Sequence, residues 1–393
     1  MENLIRKSER KAGSVKEKKR RYLYERIDWK QKLILVLGYR GVGKTTLLLQ
    51  YLSGIQQKGI YISLDDFYFE SNRLVESVAS LYELGYRVFL LDEVHRYMWW
   101  SKDLKQLYDD YEDIQVVSTG SSILDISKGN ADLSRRATVY HLYGLSFREY
   151  LNFQKNDSLP TLTLEEILNE HHLLAPELLD TFDFDSDFQD YLKFGYFPYF
   201  LESKIAYHQK LLETIQLVID TDISPFEELQ HTTTRTLKKL LFVLSESVPF
   251  TPNIQKLSVK LETPRNTVLR LLDLLDQAQI LLLLRTSTKG ISYLQKPEKI
   301  YLQNPNFIYL FSPTMANIGN VRETFFLNQL SAVYSVTAPK YGDFLVDNAY
   351  VFEVGGASKT TDQIQGIPQA YLALDIKGGS NRRVPLWLFG MLY

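Results

Sequence analysis

Short, wholly apolar runs alternate with amphipathic stretches along the first part of the chain. Leu33-Ile34-Leu35-Val36-Leu37 is uninterrupted, and Leu47, Leu48, Leu49, Tyr51 and Leu52 follow it at helical spacing. An apolar run bounded by turn residues reads as a strand buried on both faces. The pattern recurs in Gly59-Ile60-Tyr61-Ile62-Ser63-Leu64-Asp65-Asp66, a helical stretch over about 70–84, and the run Arg87-Val88-Phe89-Leu90-Leu91-Asp92-Glu93. A helix over about 102–111, the run 113–120 and the β-type run Thr138-Val139-Tyr140-His141-Leu142 complete it. Such alternation predicts an α/β fold with a parallel sheet and ligands at the strand C-termini.

Beyond residue 155 the pattern changes. Helical spacing begins at Leu164, an acidic run at 182–187 reads as a loop, and 207–223 is helical again. The aromatic stretch 191–199 reads as packing rather than as a base-stacking platform. Helices over about 235–246, 253–260 and 265–279, with Thr263 as N-cap and Pro264 in the first turn of the last, follow helix-turn-helix order. Gly290-Ile291-Ser292-Tyr293-Leu294 and Lys299-Ile300-Tyr301-Leu302 would supply a wing. Asn266, Thr267 and Arg270 are what that helix would offer to a DNA groove. Its Leu-rich remainder needs burial and other cations are few, so domain coupling is favoured over DNA. The expected division is a basic lead-in at 1–21, a parallel-sheet α/β core at 22–155, a helical connector at 156–232, a winged helix at 233–310 and a small α/β region at 311–393.

Composition narrows the chemistry. The chain has 393 residues, 45% hydrophobic and 23% charged, with a net charge of −2 and no cysteine. Disulfides, thiol catalysis and cysteine-ligated metal are excluded, and a cytoplasmic chain is the expectation. The six histidines show no metal-ligand spacing. No stretch of about 18 apolar residues predicts a membrane span. The basic run from Arg6 to Arg21 is interleaved with acids and reads as a solvated lead-in rather than a contact with nucleic acid or lipid.

Between the first strand and its helix lies Gly38-Tyr39-Arg40-Gly41-Val42-Gly43-Lys44-Thr45-Thr46, the spacing and setting of a phosphate-binding loop. Gly38 and Gly43 are expected in backbone angles that a side chain forbids, with consecutive N–H groups forming a nest for ATP phosphates. Lys44 would reach the β- and γ-phosphates. Thr45 and Asp92 would ligate Mg²⁺, and Glu93 would orient and deprotonate the attacking water. Arg135 or Arg136, with Arg136 preferred, would stabilise transition-state charge in its own subunit or in that of a neighbour, the latter implying a homo-oligomer.

The loop, the strand ending in Asp92-Glu93, the turn Thr119-Gly120-Ser121-Ser122 and the segment Gly144-Leu145-Ser146-Phe147-Arg148-Glu149-Tyr150 together resemble a prokaryotic AAA-family ATPase group, archaeal-type and Bacteroidetes proteins with a restriction-endonuclease-like C-terminal region. The resemblance implies an AAA+-like sheet. It also implies that Thr119, rather than Ser118, contacts the γ-phosphate and water, and that ATP hydrolysis acts as a switch for a protein partner. It further implies that Glu323, Asp343 and Glu353 stand where endonuclease-like folds gather Mg²⁺ for phosphodiester cleavage. The lysine expected two residues after the last acid is Gly355, so the nuclease is expected to be inactive unless Lys359 swings in. An ATP-regulated nuclease and a DNA-binding regulator with structural ATP are the alternatives.

Overall fold

The apolar runs become strands. Leu33–Leu37 (β1), Gly59–Ser63 (β2), Val88–Asp92 (β3), Gln115–Gly120 (β4) and Thr138–His141 (β5) form one parallel sheet in the order β2-β3-β4-β1-β5. Every residue of β1 and β3 is buried, which is why neither shows a polar alternation. The computed structural model describes residues 1–13, 19–123, 133, 135–155, 158–224, 231–245, 251–286 and 296–393. It divides into two units, Met1–Tyr143 and Gly144–Tyr393.

Strand order positions the site in the first unit. β1 lies between β4 and β5, so the loop leaving β1 emerges beside the end of β4 and one strand from the end of β3. Val36 pairs with Thr119, and Leu91 pairs with Ser118. Parallel register therefore brings Gly38, Thr119 and Asp92 to one edge, where an open α/β sheet binds ligands.

The lead-in is not wholly solvated. Glu2–Ala12 is an α-helix (α1) that buries Leu4 and Ser8. The Tyr61 N–H on the edge strand β2 donates to the Ser8 hydroxyl at 2.9 Å, and Lys7 pairs with Asp66. α1 thus covers a sheet edge that would otherwise present unpaired backbone groups. Lys16 and Lys18 lie outside the described residues.

In the second unit, the helices Ile254–Leu261 (α2) and Arg265–Gln277 (α3) are followed by an antiparallel pair, Leu281–Leu284 (β6) and Lys299–Leu302 (β7). Asn253 caps α2 by accepting from the Lys256 N–H. Thr263 is not the N-cap of α3: Pro264 holds that position, and the Thr263 hydroxyl turns back to the Leu261 carbonyl. Residues 290–294 lie outside the described residues. The acidic run is not a loop throughout, because Phe184–Phe188 forms a π-helical turn, with Asp183 accepting from the Asp185 N–H. Val336–Thr337 (β8), Phe344–Val346 (β9), Tyr350–Gly356 (β10), Ala370–Asp375 (β11) and Arg383–Pro385 (β12) form a mixed sheet in the order β12-β11-β10-β9-β8.

The segment from Gly144 to Tyr150 belongs to this second unit and does structural work there. Ser146 Oγ and Arg148 Nε donate to the Tyr393 carbonyl, and the Phe147 ring packs on Phe182, Phe188 and Tyr191. Tyr191 donates to the Leu145 carbonyl, so the aromatic stretch is packing.

Candidate functional site

The loop after β1 turns through two left-handed glycines, Gly41 at φ 85° and Gly43 at φ 105°. Gly38 is required for a different reason than the one expected from sequence. Its φ is ordinary, but a Cβ there would stand 2.3 Å from the Leu142 carbonyl oxygen, so close backbone approach excludes a side chain. The helix Lys44–Gly54 starts directly from Gly43. Lys44 is buried, and its ammonium donates to the Gly38 and Tyr39 carbonyls at 2.8 and 3.0 Å. Tyr39 and Val42 are buried, whereas Arg40, Gly41, Thr45 and Thr46 are half-buried. Arg21 supports the loop from below by donating to the Val42 carbonyl and, at 2.8 Å, to the Tyr143 carbonyl.

Asp92, at the end of β3, is only 3% exposed and is the centre of the polar cluster. Its Oδ2 accepts from Thr45 Oγ1 and from the Tyr61 hydroxyl, each at 2.7 Å, and its Oδ1 accepts from Thr119 Oγ1. Burial, then the charge of Asp92, pushes the Tyr61 phenol well above its ordinary pKa, so it stays a donor. Ser118 turns away and donates to the Ile34 carbonyl, which leaves Thr119 as the strand-end hydroxyl facing the acids.

Glu93 takes a left-handed conformation, φ 57° and ψ 44°, unusual for a residue with a side chain. Its N–H donates to Thr119 Oγ1 at 3.1 Å, so one hydroxyl bridges the Asp92 carboxylate and the Glu93 backbone. His95 Nε2 lies 3.4 Å from Glu93 Oε2, and the Ser121 N–H donates to His95 Nδ1 at 3.3 Å. The Thr45 hydroxyl and the Asp92 carboxylate form a hard-oxygen set at a helix N-terminus, which fits Mg²⁺ rather than a softer metal.

Arg136 does not join this cluster. Thr138 pairs with Ile34 at the beginning of the parallel strands, so Arg136 stands at the opposite sheet edge, roughly 20 Å of strand from the loop at about 3.3 Å per residue. Its guanidinium is bidentate on Asp109, at 2.8 and 3.0 Å. The expectation that it acts in its own subunit is overturned by parallel register. Arg135 is exposed nearby, and Asp132 and Ser134 lie outside the described residues.

Comparison with known proteins agrees with this geometry. Residues 30–151 match the AAA domain family. The parallel sheet of the first unit is thus an AAA-like P-loop fold, and the match runs on to residue 151, past that unit's end. Residues 185–309 match a second family, a domain of unknown function. An uncharacterised protein of Methanocaldococcus jannaschii is 30% identical over 297 residues, 68% of this chain and 61% of that protein. The match thus spans less than two thirds of that relative's length. An uncharacterised protein of Haemophilus influenzae is 26% identical over 397 residues, 91% of this chain and 92% of that one. Among solved structures, the Thermotoga maritima RuvB Holliday junction branch migration motor is 19% identical over 73% of this chain and 90% of its own, with a TM-score of 0.27. The Aeropyrum pernix ORC1 protein in complex with DNA is 11% identical over 72% of this chain and 87% of its own, with a TM-score of 0.31. Likenesses of that size carry no functional argument. No helix among the described residues is long and apolar enough to cross a membrane.

Outside the AAA domain, the second unit brings together the three acids singled out from sequence, but with cations already on them. Lys299 Nζ lies 3.3 Å from Glu323 and 3.0 Å from Asp343, and the Tyr301 hydroxyl donates to Glu323 at 2.7 Å. Lys359 Nζ is 2.5 Å from Glu353, which is 1% exposed. The Lys359 stem lies 3.0 Å from where a Cβ on Gly355 would be, so it fills the volume that the glycine leaves open. Burial raises the pKa of Glu353. Burial opposes the Lys299 charge, but Glu323 and Asp343 outweigh it and raise that pKa as well. Among the described residues, no group of three His, Cys, Asp or Glu is arranged to hold a metal ion.

Sequence reasoning missed Arg21, Tyr61 and His95. Only Tyr61 left a usable signal: it stands two residues before Ser63, the register partner of Asp92, and so alternates onto the same sheet face as that strand end.

Proposed function

We propose that this chain binds ATP with Mg²⁺ at residues 38–46 and hydrolyses it, and that nucleotide state acts as a switch on its second unit and, through it, on a protein partner. The observation that carries the reading is the bridge at Thr119, one hydroxyl joined both to the Asp92 carboxylate and to the backbone of Glu93.

The chemistry assigned to the residues follows from their placement. Loop N–H groups at the start of a helix favour phosphate oxygens. The Lys44 ammonium, which rests on two loop carbonyls, exchanges them for β- and γ-phosphate oxygens. Thr45 and Asp92 would hold Mg²⁺, which when bound supplies charge neutralisation at the phosphates. Glu93 accepts the proton of the attacking water, and Thr119 keeps it oriented to do so. Arg136 has no part in this reading within its own subunit.

Steady-state hydrolysis and nucleotide-induced thermal shift test the reading. ATP–Mg²⁺ at a hundred times its dissociation constant should stabilise the wild type by about 2.7 kcal/mol. Lys44→Ala should lose that shift, whereas Glu93→Gln should keep it and lose most turnover. A wild type with neither shift nor turnover would refute the proposal. For the switch, hydrogen exchange in residues 144–393 should differ between ATP-bound Glu93→Gln and the ADP-bound chain. Identical exchange would leave an ATPase without the coupling.

A DNA-binding role has one observation in its favour, since Lys256, Lys260, Arg265 and Arg270, on α2 and α3, are all exposed. A steep loss of duplex affinity with salt would support it over the switch.

A further inference from the structure

We propose that His95 is the positioning residue for Glu93, holding the carboxylate that the hydrolysis reading assigns as base. The inference rests on that reading and extends it to a side chain that neither the motif nor the family match singles out. Immediately after the left-handed Glu93, the chain enters a short 3-10 turn, Val94–Arg96, which carries the imidazole back against the carboxylate two residues before it. The ring is nearly enclosed, its side chain 7% exposed.

Its tautomer follows from its neighbours. The Ser121 N–H can only donate, so Nδ1 must accept, and the neutral ring then carries its proton on Nε2. Nε2 is buried and stands 3.4 Å from Glu93 Oε2 without a formed hydrogen bond between the two, close enough for the carboxylate to take one up with a small adjustment. With Nδ1 accepting from Ser121, the ring offers an N–H rather than a lone pair on the Glu93 side.

Ser121 lies two residues past Thr119, just beyond the end of β4. Glu93 is therefore placed against that strand end in two ways: its backbone is hydrogen-bonded to the Thr119 hydroxyl, and its carboxylate lies 3.4 Å from the imidazole that Ser121 orients. A base fixed at both ends to a central buried strand is held in the manner that general-base chemistry needs. A displacement of strand β4 on contact with nucleotide would move both tethers together.

The test measures ATP turnover and nucleotide affinity separately on the full chain. His95→Leu should lower kcat on the order of ten- to a hundredfold, the scale expected when a catalytic group is displaced by about 1 Å, with Kd for ATP–Mg²⁺ changed by less than about twofold. His95→Gln should recover much of the loss, because its amide nitrogen reaches the position of Nε2. In a Glu93→Gln background, His95→Leu should cause no further loss, since residues that act as a unit are not additive. Wild-type kcat in His95→Leu would overturn the proposal. So would an equal further loss in the Glu93→Gln background, a parallel loss of ATP affinity, or a Gln variant no better than Leu. If His95→Leu does not fold, the Gln variant decides alone, by normal Kd with kcat above that of Glu93→Gln. A wild type that binds ATP without hydrolysing it would instead remove the hydrolysis reading, and this inference with it.

Discussion

Thr119→Val is the most direct probe of the site, because it removes one hydroxyl and keeps the shape. Thr119 is fully buried, and its hydroxyl accepts from the Glu93 N–H and donates to Asp92 Oδ1. Leaving a buried donor unmade costs about 1–3 kcal/mol, and a hydrogen bond to a charged group is worth about 1.5–3 kcal/mol. The two are not simply summed here, because Asp92 keeps its bonds from Thr45 and Tyr61 and its charge is not stranded. The expected loss is therefore about 2–3 kcal/mol, against about 1 kcal/mol for Thr119→Ser, which drops only a methyl group. At roughly 3 °C per kcal/mol for a unit of this size, Val should lower the Tm of the first unit by about 6–9 °C. Urea unfolding followed by tryptophan fluorescence reads mainly this unit, since Trp29, Trp99 and Trp100 lie in it and only Trp387 lies in the other. A Val variant no less stable than the Ser variant would mean that the bridge contributes nothing and that another constraint holds Glu93 in its left-handed conformation.

Gly38→Ala should destabilise the first unit by more than about 2 kcal/mol, since its methyl would collide with a backbone carbonyl that a neighbouring side-chain rotation cannot relieve; a denaturation midpoint equal to wild type would contradict that packing. Arg136→Ala should leave single-subunit ATP turnover within about twofold, because removing an ion pair at the far sheet edge touches no phosphate-binding group; a loss of a hundredfold or more, restored by mixing with a second inactive variant, would place it in a neighbouring copy's site. The second unit should show no Mg²⁺- or Mn²⁺-dependent cleavage of supercoiled plasmid, because a cation would have to displace Lys299 and Lys359 from the carboxylates they already neutralise; nicking abolished by Asp343→Ala would reverse this.

What could be read from the chain alone followed from local rules. β1 and β3 were visible because a strand buried on both faces has no polar positions to interrupt it, and the phosphate loop because its glycines and Lys44 fall within one short stretch, residues 38–44. What depended on strand order was less accessible. That Tyr61, Thr119 and Asp92 meet requires β3 to lie between β2 and β4, which no segment states by itself. The docking of α1 on β2 is likewise a long-range event, and its cationic composition pointed to solvent while Leu4 and Ser8 made the contact. Arg136 is a different kind of miss. A residue just before a parallel strand stands at the edge opposite the nucleotide loop, so topology already excluded it from its own site, and the residue type obscured that.

Gly355 shows why counting positions is a weak substitute for counting atoms. The spacing from Glu353 indicates a missing cation, and an inactive nuclease is what that gap alone would predict. In space the gap is filled: Lys359 lays its stem over Gly355 and places its ammonium on Glu353, which it can do because the glycine has no side chain to keep it out. The absence of a lysine at one position and its presence four residues later are therefore a single packing arrangement. Metal-dependent cleavage is thus opposed by cations already engaged with the acids rather than by a cation that is lacking. Lys299 sits on Glu323 and Asp343 with a pKa raised by both, so the ammonium is held most firmly where a metal would have to bind. Lys299→Met should then be the variant that decides between a site blocked by its own lysine and one that never binds metal, since it frees Glu323 and Asp343 while leaving Lys359 in place. A Mn²⁺-dependent rise in Tm in Lys299→Met alone would identify the first, and no rise in either protein the second.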